Sequence, residues 1–335
     1  MERRRDYGIS LMRLIATMFI FTCHIMQYYD FELAWWFNVG VQIFLCMSGF
    51  LYGQREKIAP LSFYKKQLPK ILIDYWLVIF IVAIIQFIFV PNQITIGRFI
   101  GSVATYGTLE GGGHLWYIFY ILACYIGTPI LAKVIQIIFS KKKELHLVLG
   151  TIALLMLSFL VLTILNTFKS AWINCYIIGF FLGFCDKNAK KSYKYSSITI
   201  AVLCVLTNVA RIVINYSLKI KFEGVWQRAY EIFENYGHVF LGCAIFMAIR
   251  HLFALMFKEQ SPDKLKRSLK VTDKLSYDIY LVHHFFIFGP LSLMTLTGIS
   301  IIDVIVVLVA TIVSAIAINC ASNGIKRLFA KKESI

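Results

Sequence analysis

Apolar runs of about 20 residues recur along the whole chain, and each is long enough to cross a bilayer core of ~30 Å. Backbone N–H and C=O groups in that solvent must be satisfied within the protein, so spans of this kind are read as helices. The expected fold is an all-α, polytopic integral membrane bundle of about ten transmembrane helices. They are placed near 8–28, 33–53, 70–91, 113–138, 146–166, 170–186, 196–217, 234–257, 276–296 and 300–323. Composition agrees, since 59% of the residues are hydrophobic and only 16% charged, whereas a soluble chain is about 25% charged. No polar stretch is long enough for a separate soluble domain, so residues 1–335 are expected to form a single membrane-embedded domain. The first apolar run, Ile9 to Tyr29, is too long for a signal-peptide core and lacks a small-residue cleavage site, so it is expected to be retained.

The chain has 34 Lys and Arg against 18 Asp and Glu. An excess of that size is compatible with nucleic-acid binding, but its placement points elsewhere. With the helices cut as above, one side of the membrane receives Arg3 to Arg5, Arg55 to Lys70, Lys141 to Lys143, Lys187 to Lys194, Arg250 to Lys274 and Lys326 to Lys332. Those runs hold 26 of the 34 basic residues; five (Arg98, Lys169, Lys219, Lys221, Arg228) fall on the other side and three within spans. Positive loops stay in the cytoplasm, so both termini are expected there. The surplus is a topology signal and an attraction to anionic headgroups. Eight cysteines are scattered singly, with no CxxC pair and no zinc spacing, so no metal site is expected and packing is their reading. No internal repeat is visible.

Polar side chains inside spans need a reason, because an ionisable group there costs ~2.5–3.5 kcal/mol on insertion scales. Arg13 and His24 share the first helix. Their spacing advances the helix by about 16 Å and returns it to within about 20° of the same face. One face therefore presents a guanidinium near the cytoplasmic boundary and an imidazole toward the outer one. Ser48-Gly49-Phe50 closes the second helix, where small residues also serve helix packing. The next inside loop runs Phe63-Tyr64-Lys65-Lys66 through Lys70 to Asp74-Tyr75-Trp76, either a basic loop with an aromatic belt or a cationic mouth for a phosphorylated ligand. An outside loop ends Gly111-Gly112-Gly113-His114-Leu115-Trp116-Tyr117; its glycines permit close backbone approach. The ninth helix opens Ser276-Tyr277-Asp278-Ile279-Tyr280-Leu281-Val282-His283-His284, with Ser276, Tyr280 and His283 on one face. Arg211 is read as snorkelling outward. Two polar groups are expected at two depths. The inner one holds Arg13, Ser48, Tyr280 and His283 with Lys65, Lys66 and Lys70 at its mouth; the outer one holds His24, His114 and Trp116. Enzymes acting across a membrane need such an arrangement, and so do transporters.

Taken in order, these elements resemble the type-3 acyltransferase family of multi-pass membrane O-acyltransferases. The matching elements are Arg13 and His24 in the first helix, Phe44-Leu45-Cys46-Met47-Ser48-Gly49-Phe50, the basic loop from Lys65 to Trp76, His114-Leu115-Trp116 with Tyr125 and Pro129, and Ser276 to His283. The resemblance spans nearly the whole chain. The chain departs from it at Ser10, where many members have an acid; at Gln67, Lys70 and Ile73, where paired arginines and a proline are usual; and at Ile121. The extracytoplasmic esterase-like domain of some members is not expected within these residues.

The resemblance implies transfer of an acetyl or other short acyl group from acetyl-CoA or another acyl-CoA, a donor substrate rather than a tightly bound cofactor. The acceptor would be a hydroxyl of an extracytoplasmic or lipid-linked glycan, and a partner acting on the outer face is conceivable. It implies catalytic roles for His24, as general base, and for His283. Donor or substrate binding falls to Arg13, Ser48, Lys65, Lys66, Lys70, Tyr75, His114, Trp116, Ser276 and Tyr280. A histidine near neutral pKa suits the base role. The expected location is the cytoplasmic membrane. The rival reading is a secondary transporter of a small polar or anionic solute, which would commonly show inverted repeats.

Overall fold

The computed structural model describes residues 6–140, 144–165, 169–257 and 263–332, and among them there is no β-strand. Arg3 to Arg5, Lys141 to Lys143 and Lys258 of the basic runs lie outside those residues. The helices are α1 (Tyr7–Tyr28), α2 (Ala34–Phe37), α3 (Gly40–Gly53), α4 (Pro60–Phe89), α5 (Ile96–Val103), α6 (Trp116–Ser140), α7 (Glu144–Leu165), α8 (Ser170–Lys187), α9 (Lys191–Ile212), α10 (Gly224–Phe257), α11 (Asp263–Phe288) and α12 (Ser300–Lys332). Among the described residues, eight helical segments are long and apolar enough to cross a membrane; α2 and α3 form one of them together. The two remaining long helices, α8 and α11, lie outside that set, and α11 spends its first twelve residues on charges such as Asp263, Lys264, Lys266 and Arg267. Outward faces are strongly apolar, with Ile84, Phe87 and Ile88 of α4 and Ile301 and Val313 of α12 all more than half exposed. Surface of that kind is stable against lipid and not against water.

Several elements depart from the hydropathy reading: α10 begins at Gly224 rather than near 234 and α12 runs to Lys332 rather than 323, and three further departures bear on the site. The helix expected over 276–296 begins at Asp263 and stops at Phe288. Hydropathy registers only the apolar part, whereas ion pairs such as Lys266–Asp263 (3.3 Å) extend the helix beyond it. Pro290 then removes an N–H and restricts the residue before it, ending the helix. The basic loop holding Lys65, Lys66 and Lys70 is helical, because α4 starts at Pro60, a residue suited to a first turn, and runs through Pro69. The expected outside loop contains α5, capped by the Thr95 hydroxyl on the Arg98 amide.

The chain divides into two compact units: residues 1–38, 61–123 and 261–335 form the first, and residues 39–60 and 124–260 the second. In the first, α1 begins where the Asp6 carboxylate accepts from the amides of Gly8 and Ile9 (2.9 and 3.3 Å). Phe21 and Ile25 of α1, Ile287 of α11 and Val307 of α12 belong to one apolar cluster. Lys326 of α12 reaches both carboxylate oxygens of Asp74 on α4 (2.6 and 2.8 Å). In the second unit α3 and α8 cross at backbone contact. A Cβ on Gly49 would strike the Tyr176 carbonyl and one on Gly53 that of Phe180; conversely, Gly179 faces the Cys46 carbonyl and Gly183 that of Phe50. Both helices thus present a small residue every fourth position, the spacing that lets membrane helices approach closely. Arg250 forms a forked pair with Asp186 (3.2 and 3.1 Å), and Arg211 Nε pairs with Glu234 at 2.8 Å. Arg211 is thus buried and ion-paired with α10 rather than snorkelling; Glu234, 23 residues away in sequence, becomes a neighbour only through the α9–α10 turn.

Candidate functional site

The first unit contains a ladder between α1 and α11. At one rung Arg13 Nη1 donates to Asp273 Oδ1 at 2.9 Å, while the Ser10 hydroxyl donates to Asp273 Oδ2 at 2.7 Å. Eleven residues further along both helices, about 16 Å, the rings of His24 and His284 meet edge to face with centroids 4.5 Å apart. Matching intervals on both strands of the ladder mean that the helices run parallel. Arg13 and His24 therefore do share a face, and that face is turned to α11.

Four histidines gather at the second rung. His283 lies 5.2 Å from His24 and 5.1 Å from His114, centre to centre. His114 stacks on His284 at 4.5 Å with 18° between ring planes. A carbonyl oxygen only accepts, so each ring nitrogen facing one carries the proton. His114 donates through Nε2 to the Tyr280 carbonyl (3.0 Å), and His283 through Nδ1 to the same oxygen (2.8 Å). His284 donates through Nδ1 to the Gly111 carbonyl (2.7 Å), and His24 through Nδ1 to Gln27 Oε1 (2.7 Å). Each imidazole is thus left with a lone pair on its other nitrogen. Two of these, His114 Nδ1 and His283 Nε2, are buried with no hydrogen-bond partner. His24 and His284 are half-buried, so the cluster is reachable from their side.

Local sequence explains the convergence. Gly111 adopts φ +74°, and a Cβ there would collide with Gly289, so the chain carrying its carbonyl can press against the end of α11. A single turn, Gly113–Leu115, then swings His114 inward before α6 starts. The Tyr280 hydroxyl donates to the His114 carbonyl (2.5 Å), fixing that turn from below.

Tyr280 and His283 therefore sit with His24 and His114, not at the Arg13 level. The two-depth grouping does not hold because Arg13 is level with Asp273, ten residues or about 15 Å before His283, which puts His283 beside His24. Ser276 is buried and donates to the Asp273 carbonyl in its own helix (3.4 Å). Lys65, Lys66 and Lys70 are exposed on the first turns of α4. The Tyr75 hydroxyl is engaged by the Ser102 carbonyl of α5, and Trp116 stands edge-on to Tyr120 at the head of α6. Ser48 belongs to the second unit, next to the close-packed Gly49.

Sequence reasoning missed Asp273, Gln27 and the part played by His284. Asp273 was hidden in a basic run, yet continuing the helical register back from His284 through Tyr280 and Tyr277 reaches it. Among the described residues, no three His, Cys, Asp or Glu side chains are placed to hold a metal ion. What the cluster offers chemically is proton acceptance: several neutral imidazoles, each locked in one tautomer, within one ring's reach of each other.

The profile of the acyltransferase domain of the type-3 acyltransferase family matches residues 6–320. Comparison with curated proteins and with solved structures finds no match to the chain.

Proposed function

Because the chain belongs to the type-3 acyltransferase family, we propose that this multi-pass membrane acyltransferase moves an acetyl or other short acyl group from acyl-CoA onto a glycan hydroxyl. In this reading it lies in the cytoplasmic membrane with both termini inside, draws its donor from the cytoplasm, and acylates an extracytoplasmic or lipid-linked acceptor. The observation that supports it most is the ladder itself. A guanidinium stands at one rung and tautomerically fixed imidazoles at the next, about 16 Å away along one helix face.

Arg13 is the anchor for the donor's phosphates. Asp273 aligns its fork through one N–H, and the remaining donors face an anion. Lys65, Lys66 and Lys70 attract the same anion from the exposed first turns of α4. The pantetheine arm then lies along the ladder, bringing the thioester to the histidines. His24, proton on Nδ1, has its Nε2 lone pair for the acceptor hydroxyl. As that proton transfers to His24, the oxygen attacks the thioester carbonyl. The tetrahedral intermediate collapses with cleavage of the C–S bond, and the departing thiolate takes the proton back from the imidazolium. His283, with its own unpartnered Nε2, is the second acceptor within the cluster. Tyr280, His114 and Ser276 position these groups.

The test supplies radioactive acetyl-CoA to inverted vesicles containing the protein. Base-labile label on glycan is the expected result. Label that stays on coenzyme A while an intact solute crosses the membrane would replace the enzyme with a transporter.

A further inference from the structure

From Leu77 to Phe89, α4 is apolar at every position but one, Gln86. Its side chain does not turn to the surface: Gln86 is 3% exposed and lies in an apolar wall with Val82, Phe285 and Ile318. An amide in such a setting costs free energy unless its groups are hydrogen-bonded. Gln86 Nε2 donates to the Glu110 carbonyl at 2.8 Å. A carbonyl only accepts, so the amide's orientation is fixed and Oε1 is the atom left over. Oε1 is buried with no partner. Half of the amide is satisfied and half is not, and a Leu or Met would fill the same wall at lower cost. The bond to Glu110 is what this residue supplies.

Glu110 precedes Gly111, whose carbonyl accepts from His284 Nδ1 at 2.7 Å. The carbonyl that Gln86 holds and the carbonyl that holds His284 thus belong to consecutive peptide units, hinged at Gly111 with φ +74°. Peptide units are rigid planes, and a glycine between two of them leaves their relative angle loosely set. The plane before Gly111 must be fixed if the plane after it is to aim at His284, and Gln86 fixes it from inside the unit. Other ties on this loop hold different atoms. Ser102 Oγ accepts from the Leu109 amide (2.8 Å), and Arg98 pairs at the surface with the Glu110 side chain (2.5 Å). His284 in turn stacks on His114 and meets His24 edge-on. While the Gly111 carbonyl is in place, the His284 proton stays on Nδ1 and Nε2 is an acceptor. With that carbonyl turned away, the proton is free to sit on Nε2, and an acceptor of the cluster becomes a donor.

We propose that Gln86 is a positioning residue for acyl transfer: by fixing the Glu110 carbonyl it aims the next carbonyl at His284 and holds that ring in its Nδ1–H tautomer. It touches neither donor nor acceptor and acts through the loop. Its effect on transfer rests on the transferase reading above; its effect on the ring does not.

The experiment compares Gln86→Met, Gln86→Asn and Arg98→Met with wild type, each as the full chain in nanodiscs with its histidines labelled with nitrogen-15. Met keeps the length of Gln86 and suits the apolar wall; Asn keeps the amide but falls one methylene short of the Glu110 carbonyl. The His284 ring signals are those that vanish in His284→Gln protein. In wild type they should show Nδ1 protonated and Nε2 bare. Both Gln86 variants should shift them to a mixed or opposite tautomer. Both should also lower kcat with radioactive acetyl-CoA in inverted vesicles by about ten- to a hundredfold, the order that a misplaced group costs, and leave the KM for acetyl-CoA unchanged. Arg98→Met releases the Glu110 side chain but not the bond from Gln86, and should change neither the tautomer nor kcat. A His284 tautomer indifferent to both Gln86 variants, a changed tautomer with undiminished kcat, or the same change in Arg98→Met would each overturn the proposal. If wild type transfers no acetyl group, a tautomer that still follows Gln86 upholds its grip on His284 and refutes the transferase reading.

Discussion

The two units use polar and small residues for opposite ends. In the second, glycines bring α3 and α8 to backbone contact, and two arginines there are matched by acids, Arg250 with Asp186 and Arg211 with Glu234. In the first, four imidazoles crowd together, with two buried lone pairs left unpartnered. Burying a polar group unsatisfied costs free energy, and nothing in the packing of α1 on α11 requires it. The comparison teaches that ion pairs occur in both units and so do not tell them apart, while a cluster of imidazoles with buried, unmatched lone pairs marks chemistry.

Overpacking the α3–α8 crossing should have the largest effect. Gly179→Leu places side-chain atoms where the Cys46 backbone stands, and since backbone cannot move aside, the cost should exceed the usual ~1–3 kcal/mol of overpacking. The expected outcome is loss of detergent-stable protein by size-exclusion chromatography, and His283→Gln should leave the elution profile intact. A stable Gly179→Leu protein with normal transfer would erase the distinction between the units.

Arg13→Ala comes next in size. It should weaken binding of coenzyme A to purified protein by about 1.5–3 kcal/mol, the worth of a charge-assisted contact, whereas Arg211→Ala should lower stability and leave donor affinity unchanged. Asp273→Asn retains a hydrogen-bonding partner for Arg13 and should fall between wild type and Arg13→Ala. Calorimetric affinities that are equal for Arg13→Ala and Arg211→Ala would remove Arg13 from the donor site.

Much of the first unit was legible. The boundaries of α1 followed from its apolar run, and the helical period alone placed Arg13 and His24 on one face. The His114 turn was marked by its glycines. What hydropathy could not see was the charged part of α11 ahead of Ser276, which holds the residue level with Arg13 and so sets the depth of His283. Partners on neighbouring helices were equally invisible: Asp273 among lysines, Glu234 beyond a turn. The Ser48-Gly49-Phe50 stretch had two readings, and the structure shows Gly49 as half of a packing pair with α8. Ser10, which stands where many members of the family have an acid, finds its acid across the ladder in Asp273.

The most direct test of the account is the rate of ester formation by His24→Ala, measured with donor binding in the same preparation. His24 is held by Gln27 at the second rung, about 16 Å from Arg13, where a proton acceptor is useful and a phosphate anchor is not. Acyl transfer should fall by about 10²–10⁴, with coenzyme A affinity and elution profile unchanged. Transfer at near-normal rate by folded His24→Ala protein would contradict the claim that the lone pairs of the first unit do the chemistry through His24.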